Sequence, residues 1–346
     1  MRSILRVRPR QRGFSLMEVT VVLAITTVVL LIVMQMLDNA VSTSLFVESR
    51  NDLPIMGQSA VNAMQARIFQ ARQIFEDDTL GQDYWKALDF TGLPAVQANS
   101  LQPVINEPGT FVPDTTTRYT GNCLLVARHL TPMAIDTTGS PAQVLADLYE
   151  FNAFYLTQST ARNFANQGYT LDLFQGTSGS YADYDQLNDL INVAKLTSTQ
   201  MKAINKKLID NGITLAWNAE APVTSAFYSI NLDGTLSGPN ATQKIVLRAT
   251  KSKSLLTGLT GGRISGRMAY TVGFRKPADG TNFPVRDTVP KYAKFDSTKK
   301  EFPSGLEFLI VGPQGSRRIL ARLVMVSQYG VNKWDSREMT VVTSAR

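Results

Sequence analysis

The longest apolar run of the chain begins at Val19 and ends at Leu37. Its 19 residues include no charge. The polar residues within it are Thr20, Thr26, Thr27 and Gln35. Because a helix rises about 1.5 Å per residue, a helix of this length just crosses the hydrocarbon core of a bilayer. The pattern therefore predicts a membrane-spanning helix near the N-terminus.

A second apolar pattern follows, with a period of three to four residues. Its members are Met56, Ala60, Met64, Ile68, Ala71 and Phe75. This spacing predicts that the helix continues to about Phe75 and presents one apolar stripe to a sheet. Pro54 and Gly57 interrupt the stripe, so we expect a bend or break between Leu53 and Gly57.

The remaining chain reads as a mixture of turns, strands and a helical segment. Residues 76–122 are rich in Gly and Pro and predict a long irregular stretch. Runs of β-branched and aromatic residues then predict an antiparallel sheet or two. The predicted strands are Cys123–Leu130, Tyr149–Thr157, Ser225–Leu232, Lys244–Thr250, Arg267–Phe274, Leu306–Val311, Ile319–Val326 and Met339–Thr343. The sequence thus predicts an α+β protein.

A helical insertion is expected at about 175–215. Tyr184–Asn211 carries apolar residues at roughly helical spacing, with a Thr/Ser break at Leu196–Thr199. The preceding Gln175–Ser180, Gln-Gly-Thr-Ser-Gly-Ser, predicts a flexible loop.

Charge is concentrated at the N-terminus. The chain has 35 Lys and Arg against 28 Asp and Glu, but residues 1–13 contain five arginines and no acid. Without them the count is 30 against 28, so the high pI gives no argument for nucleic-acid binding. The basic segment instead predicts that the N-terminal tip stays cytoplasmic and that the chain after Asp38 is exported.

Glu18 stands at the head of the apolar run, where a carboxylate costs free energy unless it has a partner. The stretch Gly13-Phe14-Ser15-Leu16-Met17-Glu18 resembles the processing site of type IV prepilins and type II secretion pseudopilins. The resemblance implies cleavage after Gly13 by prepilin peptidase and N-methylation of Phe14. It also implies that Glu18 pairs with the terminal amine of a neighbouring subunit.

The resemblance implies a pilin-like fold, in which a long N-terminal helix packs with its second half on an antiparallel sheet. The expected segments are a leader at 1–13, a membrane and assembly helix at 14–37, its continuation at 38–75 and a head at 76–346. The chain is most similar to large minor pilins of the PilW-like or GspJ-like kind. Alternatives from the residues alone are a signal anchor or a signal peptide cut near Ala40, although the apolar run is long for the latter.

Few residues indicate enzymatic chemistry. The single cysteine, Cys123, excludes an intramolecular disulfide and begins an apolar strand, so a buried thiol is expected. This differs from the C-terminal disulfide of many pilins. The single histidine, His129, is expected to be a strand residue rather than a general base. The glycine-rich residues 258–266 lack the Gly-Lys-Ser/Thr ending of a phosphate loop and predict a hairpin or loop.

One pattern of candidate metal ligands is present. Asp183, Asp185 and Asp189 supply the oxygen ligands that calcium prefers, but their spacing does not match an EF-hand. A helix N-terminal cap is the favoured interpretation of these acids. No other cofactor is expected.

The sequence therefore predicts a structural subunit rather than an enzyme. The expected role is a minor pilin at or near a filament tip, since about 270 head residues would crowd a repeating shaft. Its expected partners are prepilin peptidase, the inner membrane, other pilins through the N-terminal helix and a tip adhesin. The alternatives are a minor pseudopilin of a type II secretion system and, from another class, a membrane-anchored periplasmic enzyme or binding module.

Overall fold

The computed structural model describes residues 15–97, 100–158, 171–256, 269–272, 291–293, 305–330 and 333–345. The chain divides into two compact units, 1–48 and 49–346. A single helix, α1 (Leu16–Phe69), contributes residues to both units. In the first unit, the described residues from Leu16 onward are all helical.

The second unit adds three helices and seventeen strands among the described residues. The helices are α2 (Thr79–Ala87), α3 (Tyr184–Asn192) and α4 (Ser198–Asp210), with one 3₁₀ turn at Val223–Ser225. The first strands are β1 (Ala71–Phe75), β2 (Leu88–Asp89), β3 (Ile105–Asn106), β4 (Leu124–His129), β5 (Met133–Asp136), β6 (Gln143–Ala146), β7 (Leu148–Gln158) and β8 (Leu171–Asp183). The later strands are β9 (Leu215–Trp217), β10 (Phe227–Ile230), β11 (Leu236–Ser237), β12 (Ile245–Val246), β13 (Lys253–Ser254), β14 (Ala269–Val272), β15 (Leu306–Val311), β16 (Arg318–Gly330) and β17 (Lys333–Ser344).

Two large sheets organise this unit. The first has the order β1-β4-β7-β8-β9-β10-β11, with β13 also paired to β8. The second has the order β14-β16-β15-β3, with β17 paired along β16. Most pairs are antiparallel, but β8–β9, β12–β2 and β15–β3 are parallel. The expected α+β class with a long N-terminal helix is confirmed, and its sheets are mixed.

The main core lies between residues 53–68 of α1 and one face of each large sheet. Leu53, Met64 and Ile68 are fully buried there. The sheets contribute Leu124, Val126, Phe154, Leu156, Leu306, Phe308, Ile310, Ile319, Ala321 and Leu323. The prediction that the apolar stripe packs on a sheet is therefore confirmed, and the stripe packs on both large sheets.

The helix ends earlier than predicted. It stops at Phe69, and Ala71–Phe75 forms β1, which pairs with β4 through Ile74↔Val126 and Phe75↔Leu125. Ile74 lies in the main core, whereas Phe75 lies in an aromatic core on the other face of the first sheet. In an extended strand, adjacent side chains point to opposite faces. Burial of Ile74 and Phe75 on opposite faces of the first sheet therefore favours a strand here, although the apolar residues have helical spacing.

A bend or break was predicted at Leu53–Gly57; the break is wrong, because α1 continues through Pro54, and the bend stays a prediction. A proline inside a helix costs about 3 kcal/mol. Leu53 and Met56, on either side of Pro54, are both buried in the main core. Their burial offsets that cost, since a fully buried Leu or Met contributes about 1.5–3 kcal/mol.

Residues 76–122 are less irregular than predicted, because they contain α2. Asp78 caps this helix by accepting a hydrogen bond from the backbone N of Gly81 at 2.7 Å. Tyr84 in its second turn is fully buried in the aromatic core. The Asp cap before an apolar periodic segment was the signal for this helix.

The flexible loop predicted at Gln175–Ser180 is instead part of β8, and its residues up to Gly179 are buried. Its small residues allow close packing: a Cβ added at Gly176 would lie 2.8 Å from a methyl carbon of Leu247. The two helices predicted within 184–211 are confirmed as α3 and α4. The strand predicted at Lys244–Thr250 is reduced to Ile245–Val246.

Candidate functional site

The first turn of α1 is closed by a pair of reciprocal hydrogen bonds. The backbone N of Ser15 donates to Oε2 of Glu18 at 2.9 Å, and the backbone N of Glu18 donates to Oγ of Ser15 at 3.2 Å. This is a capping box, which satisfies two donors that a helix start otherwise leaves free. The Glu18 carboxylate is thus held at the N-terminal end of the helix, and it stays exposed.

The capping partner of Glu18 was missed in the sequence interpretation. Its signal was present, because Ser15-Leu16-Met17-Glu18 has the spacing of a capping box. The predicted cleavage residue Gly13 and the predicted methylated residue Phe14 lie outside the described residues. They are adjacent in sequence to the cap.

Every side chain from Leu16 to Leu37 is exposed within the chain, including the ten Val and Leu residues of the apolar run. Three threonines in this stretch are satisfied internally. The hydroxyls of Thr20, Thr26 and Thr27 donate to backbone carbonyls one turn earlier, at 2.8, 2.7 and 2.8 Å. The polar groups therefore do not prevent this surface from entering hydrocarbon.

One helix in the described part of the chain is long and apolar enough to cross a membrane, judged by length and composition alone. That helix is α1, near the N-terminus. Exposure of so much apolar surface is unfavourable in water, so this stretch needs a lipid or protein environment. The finding fits anchoring in the inner membrane.

The acids at the start of α3 form a helix cap. Asp183 precedes the helix, and its Oδ1 accepts a hydrogen bond from the backbone N of Gln186 at 2.9 Å. Partial burial, followed by the charges of Asp183, Glu220 and Asp189, raises the pKa of Asp185. Among the described residues, no group of three His, Cys, Asp or Glu side chains is arranged to hold a metal ion. The calcium interpretation therefore stays an untested hypothesis.

The single histidine and the single cysteine both lie on or beside β4. Nε2 of His129 is 3.1 Å from Oδ1 of Asp147. The rings of His129 and Tyr149 pack in a T-shaped arrangement. Cys123 is buried immediately before the strand, and burial raises the pKa of its thiol. A protonated, buried thiol is a poor nucleophile, so Cys123 has a packing role. The glycine-rich residues 258–266 lie outside the described residues.

Comparison with known proteins identifies a motif in the N-terminal segment. Residues 8–34 match the family model described as the prokaryotic N-terminal methylation motif. No curated protein and no solved structure matches the chain. The match spans the end of the basic segment from Arg8, Gly13, Phe14, the capping box and most of the apolar run, and it does not include the head. The chain therefore carries the N-terminal methylation signal that indicates a precursor of the type IV pilin or pseudopilin type.

Proposed function

We propose that this protein is a minor type IV pilin-like structural subunit placed at or near the tip of a filament. Prepilin peptidase cleaves it after Gly13 and methylates the new N-terminus at Phe14. The helix that follows holds the subunit in the inner membrane and then in the filament. The head primes assembly or presents a tip partner.

The observation that carries the proposal is the coincidence of the methylation motif with an exposed carboxylate at the head of an exposed apolar helix. Cleavage after Gly13 would create a cationic amine four residues before Glu18. In a stack of apolar helices, a carboxylate and an amine from neighbouring subunits neutralise each other in a medium of low dielectric constant. The charge of Glu18 then sets the register of the helices.

The size of the head supports a minor role. The second unit covers residues 49–346, which are 298 residues, and its described part contains three separate buried clusters. A unit of this size fits a position used once or a few times per filament. The same features suit a minor pseudopilin of a type II secretion system, and the observations favour neither filament over the other.

Cleavage is tested by a Gly13→Leu substitution, because a bulky side chain should not enter a peptidase site that accepts glycine. The expected result is an uncleaved precursor in the membrane with filament function lost. Ser3→Leu is the matched control, since it places the same side chain inside the leader. N-terminal sequencing reads the outcome: a mature start at Phe14 in the parent supports the proposal, and a start near Thr43 contradicts it.

Glu18 is tested by separating its charge from its capping role. Glu18→Gln keeps an acceptor for the Ser15 amide but removes the charge, whereas Ser15→Ala weakens the cap and keeps the charge. We expect normal cleavage in both variants and a loss of co-purification with other pilins only in Glu18→Gln. Equal loss in both variants would assign the effect to the helix cap and overturn the pairing role.

A membrane-anchored enzyme or binding module is the alternative from another class. Such a protein should work without cleavage. An uncleaved Gly13→Leu variant with full cellular function would therefore favour it.

A further inference from the structure

A polar cluster interrupts the α1-facing side of the first sheet. It comprises Arg128, Glu150, Asn152, Gln175, Thr177 and Lys251. Strand register places Arg128 opposite Glu150 and Asn152 opposite Thr177. Alternate residues of a strand share a face, so Glu150 with Asn152, and Gln175 with Thr177, face the same side. No local sequence pattern indicates this cluster, because its members come from four separate segments.

The side-chain amide of Asn152 is fully buried, and both its oxygen and its nitrogen form hydrogen bonds. Its Oδ1 accepts hydrogen bonds from Nε2 of Gln175 at 2.9 Å and from Oγ1 of Thr177 at 3.1 Å. Its Nδ2 donates to Oε1 of Glu150 at 3.3 Å. Two donors on a carbonyl oxygen draw electron density from the carbon and stabilise negative charge that develops on the oxygen.

The other oxygen of Glu150 faces an amine. Nζ of Lys251 lies 3.7 Å from Oε2 of Glu150, whose side chain is 4% exposed. Backbone contacts fix the turn that carries Lys251: Arg248 N donates to the Thr177 carbonyl at 2.8 Å, and the Thr177 N donates to Oγ of Ser252 at 2.9 Å. The amine, the carboxylate and the amide are thus held in one sequence of contacts.

We propose that Lys251 and Asn152 join through an intramolecular isopeptide bond, with Glu150 transferring the proton and one ammonia molecule released. Oε2 of Glu150 takes a proton from the Lys251 ammonium, and the Nζ lone pair attacks Cγ of Asn152. The bond from Cγ to Nδ2 then breaks as Nδ2 receives that proton from Glu150 and leaves as ammonia. The second Nζ proton passes to the ammonia, so an ammonium and an amide become a new amide and an ammonium ion, and no oxidant or other reactant is required.

Arg128 orients the carboxylate that takes part in this reaction. Its Nε donates to Oε1 of Glu150 at 2.5 Å, whereas Oε2 is the oxygen that faces Lys251. One reaction per chain is sufficient, because the bond forms once and the released ammonium ion diffuses away. The cross-link restrains an exported head that has a single cysteine and no internal disulfide.

The test is peptide mapping of the mature full chain, extracted in detergent and digested with trypsin. Residues 129–162 contain Asn152 and no internal Lys or Arg, and cleavage after Arg248 leaves 249–253 when Lys251 is blocked. We expect one branched peptide that joins 129–162 to 249–253 and lacks the mass of one ammonia molecule. A linear 129–162 peptide with unmodified Asn152 overturns the proposal. A peptide that has lost ammonia without a branch overturns it as well.

Three variants locate the reacting groups. Lys251→Arg keeps the positive charge but cannot form the bond, so we expect only the linear peptide. Lys253→Arg changes a lysine of the same segment and should retain the branch at Lys251. Glu150→Gln should lose the branch, with circular dichroism recording whether the fold is kept. A branch that persists in a folded Glu150→Gln protein overturns the proton-transfer role.

Discussion

Gly57 of α1 and Met339 of β17 are in such close contact that no side chain fits between them. A Cβ added at Gly57 would lie 2.0 Å from both Sδ and Cε of Met339 and 3.4 Å from Sδ of Met325. The glycine that looked like a helix breaker in the sequence is therefore the position where the second sheet packs on the helix. Its role follows from a residue 282 positions later in the chain.

This contact predicts a cost for a large side chain at position 57. Gly57→Leu should lower the free energy of unfolding by about 1–3 kcal/mol, because Met339 and β17 must move. Met339→Ala should recover part of that loss in the double variant. Ala66→Leu, at an exposed position of the same helix, is the control and should change stability little. Chemical denaturation in detergent provides the measurement, and additive effects of the two substitutions would contradict the contact.

Asp172 of β8 predicts a pH dependence of stability. Burial, opposed by the hydrogen bond from Oγ of Ser254 at 2.7 Å, raises the pKa of Asp172 from 3.8 to about 6. The folded chain then binds a proton that the unfolded chain has already lost. The contribution of Asp172 to stability is therefore greatest below about pH 4 and is lost as the pH rises to about 6.

Asp172→Asn tests this sign. The variant should be more stable than the parent at pH 7, by at most about 3 kcal/mol for a shift of two pKa units, and equal to it near pH 4. Thermal unfolding at a series of pH values measures the difference. Asp189→Asn is the exposed carboxylate control. A constant difference between Asp172→Asn and the parent at all pH values would contradict the assignment.

Glu307 and Arg322 form a buried ion pair on the second sheet. Nη1 of Arg322 donates to Oε2 of Glu307 at 2.7 Å, with side chains 3% and 0% exposed. Glu307 also accepts hydrogen bonds from the backbone N atoms of residues 291, 292 and 293. Burial alone would lower the pKa of Arg322, but the hydrogen bond to Glu338 and the charge of Glu307 outweigh it and raise that pKa.

Removing one partner should leave a buried charge unpaired. Arg322→Met is expected to cost about 3–5 kcal/mol, and Arg322→Met with Glu307→Gln should cost less. The matched surface pair is Lys206 and Asp210, whose side chains are 66% and 55% exposed. Lys206→Met should cost less than about 1 kcal/mol. Denaturant unfolding measures the loss in the free energy of unfolding for the two Arg322 variants and for Lys206→Met. Equal losses for the buried and exposed pairs would contradict this account.

Asp183 predicts a capping effect that does not depend on calcium. Asp183→Ala should lower the free energy of unfolding by about 1 kcal/mol, because the backbone amide of Gln186 loses its acceptor. Asp183→Asn should retain most of the stability that the cap provides. Asp189→Ala, in the same helix, is the control. Melting curves with and without calcium separate the two interpretations. A calcium-dependent rise that disappears in Asp183→Ala/Asp185→Ala would establish a metal site.

Local patterns in the sequence were sufficient for the N-terminal segment. The methylation motif at residues 8–34 and the exposed apolar helix to Leu37 follow from charge, length and hydrophobicity, which are properties of consecutive residues. The helices α3 and α4 and the core strands β7, β15 and β16 were predicted for the same reason. Their periodicity matches the face that each element buries.

Only the tertiary structure decided how the other segments fold. Ala71–Phe75 is a strand because β4 and two cores on opposite faces require it, although its spacing is helical. Gln175–Gly179 is buried because distant residues pack on its glycines. Glu150, Asn152 and Lys251 meet through strand pairing and a turn that no local pattern reports. Hydrophobic periodicity describes which face of a segment is apolar, but close approach and side-chain chemistry depend on which distant segment covers that face.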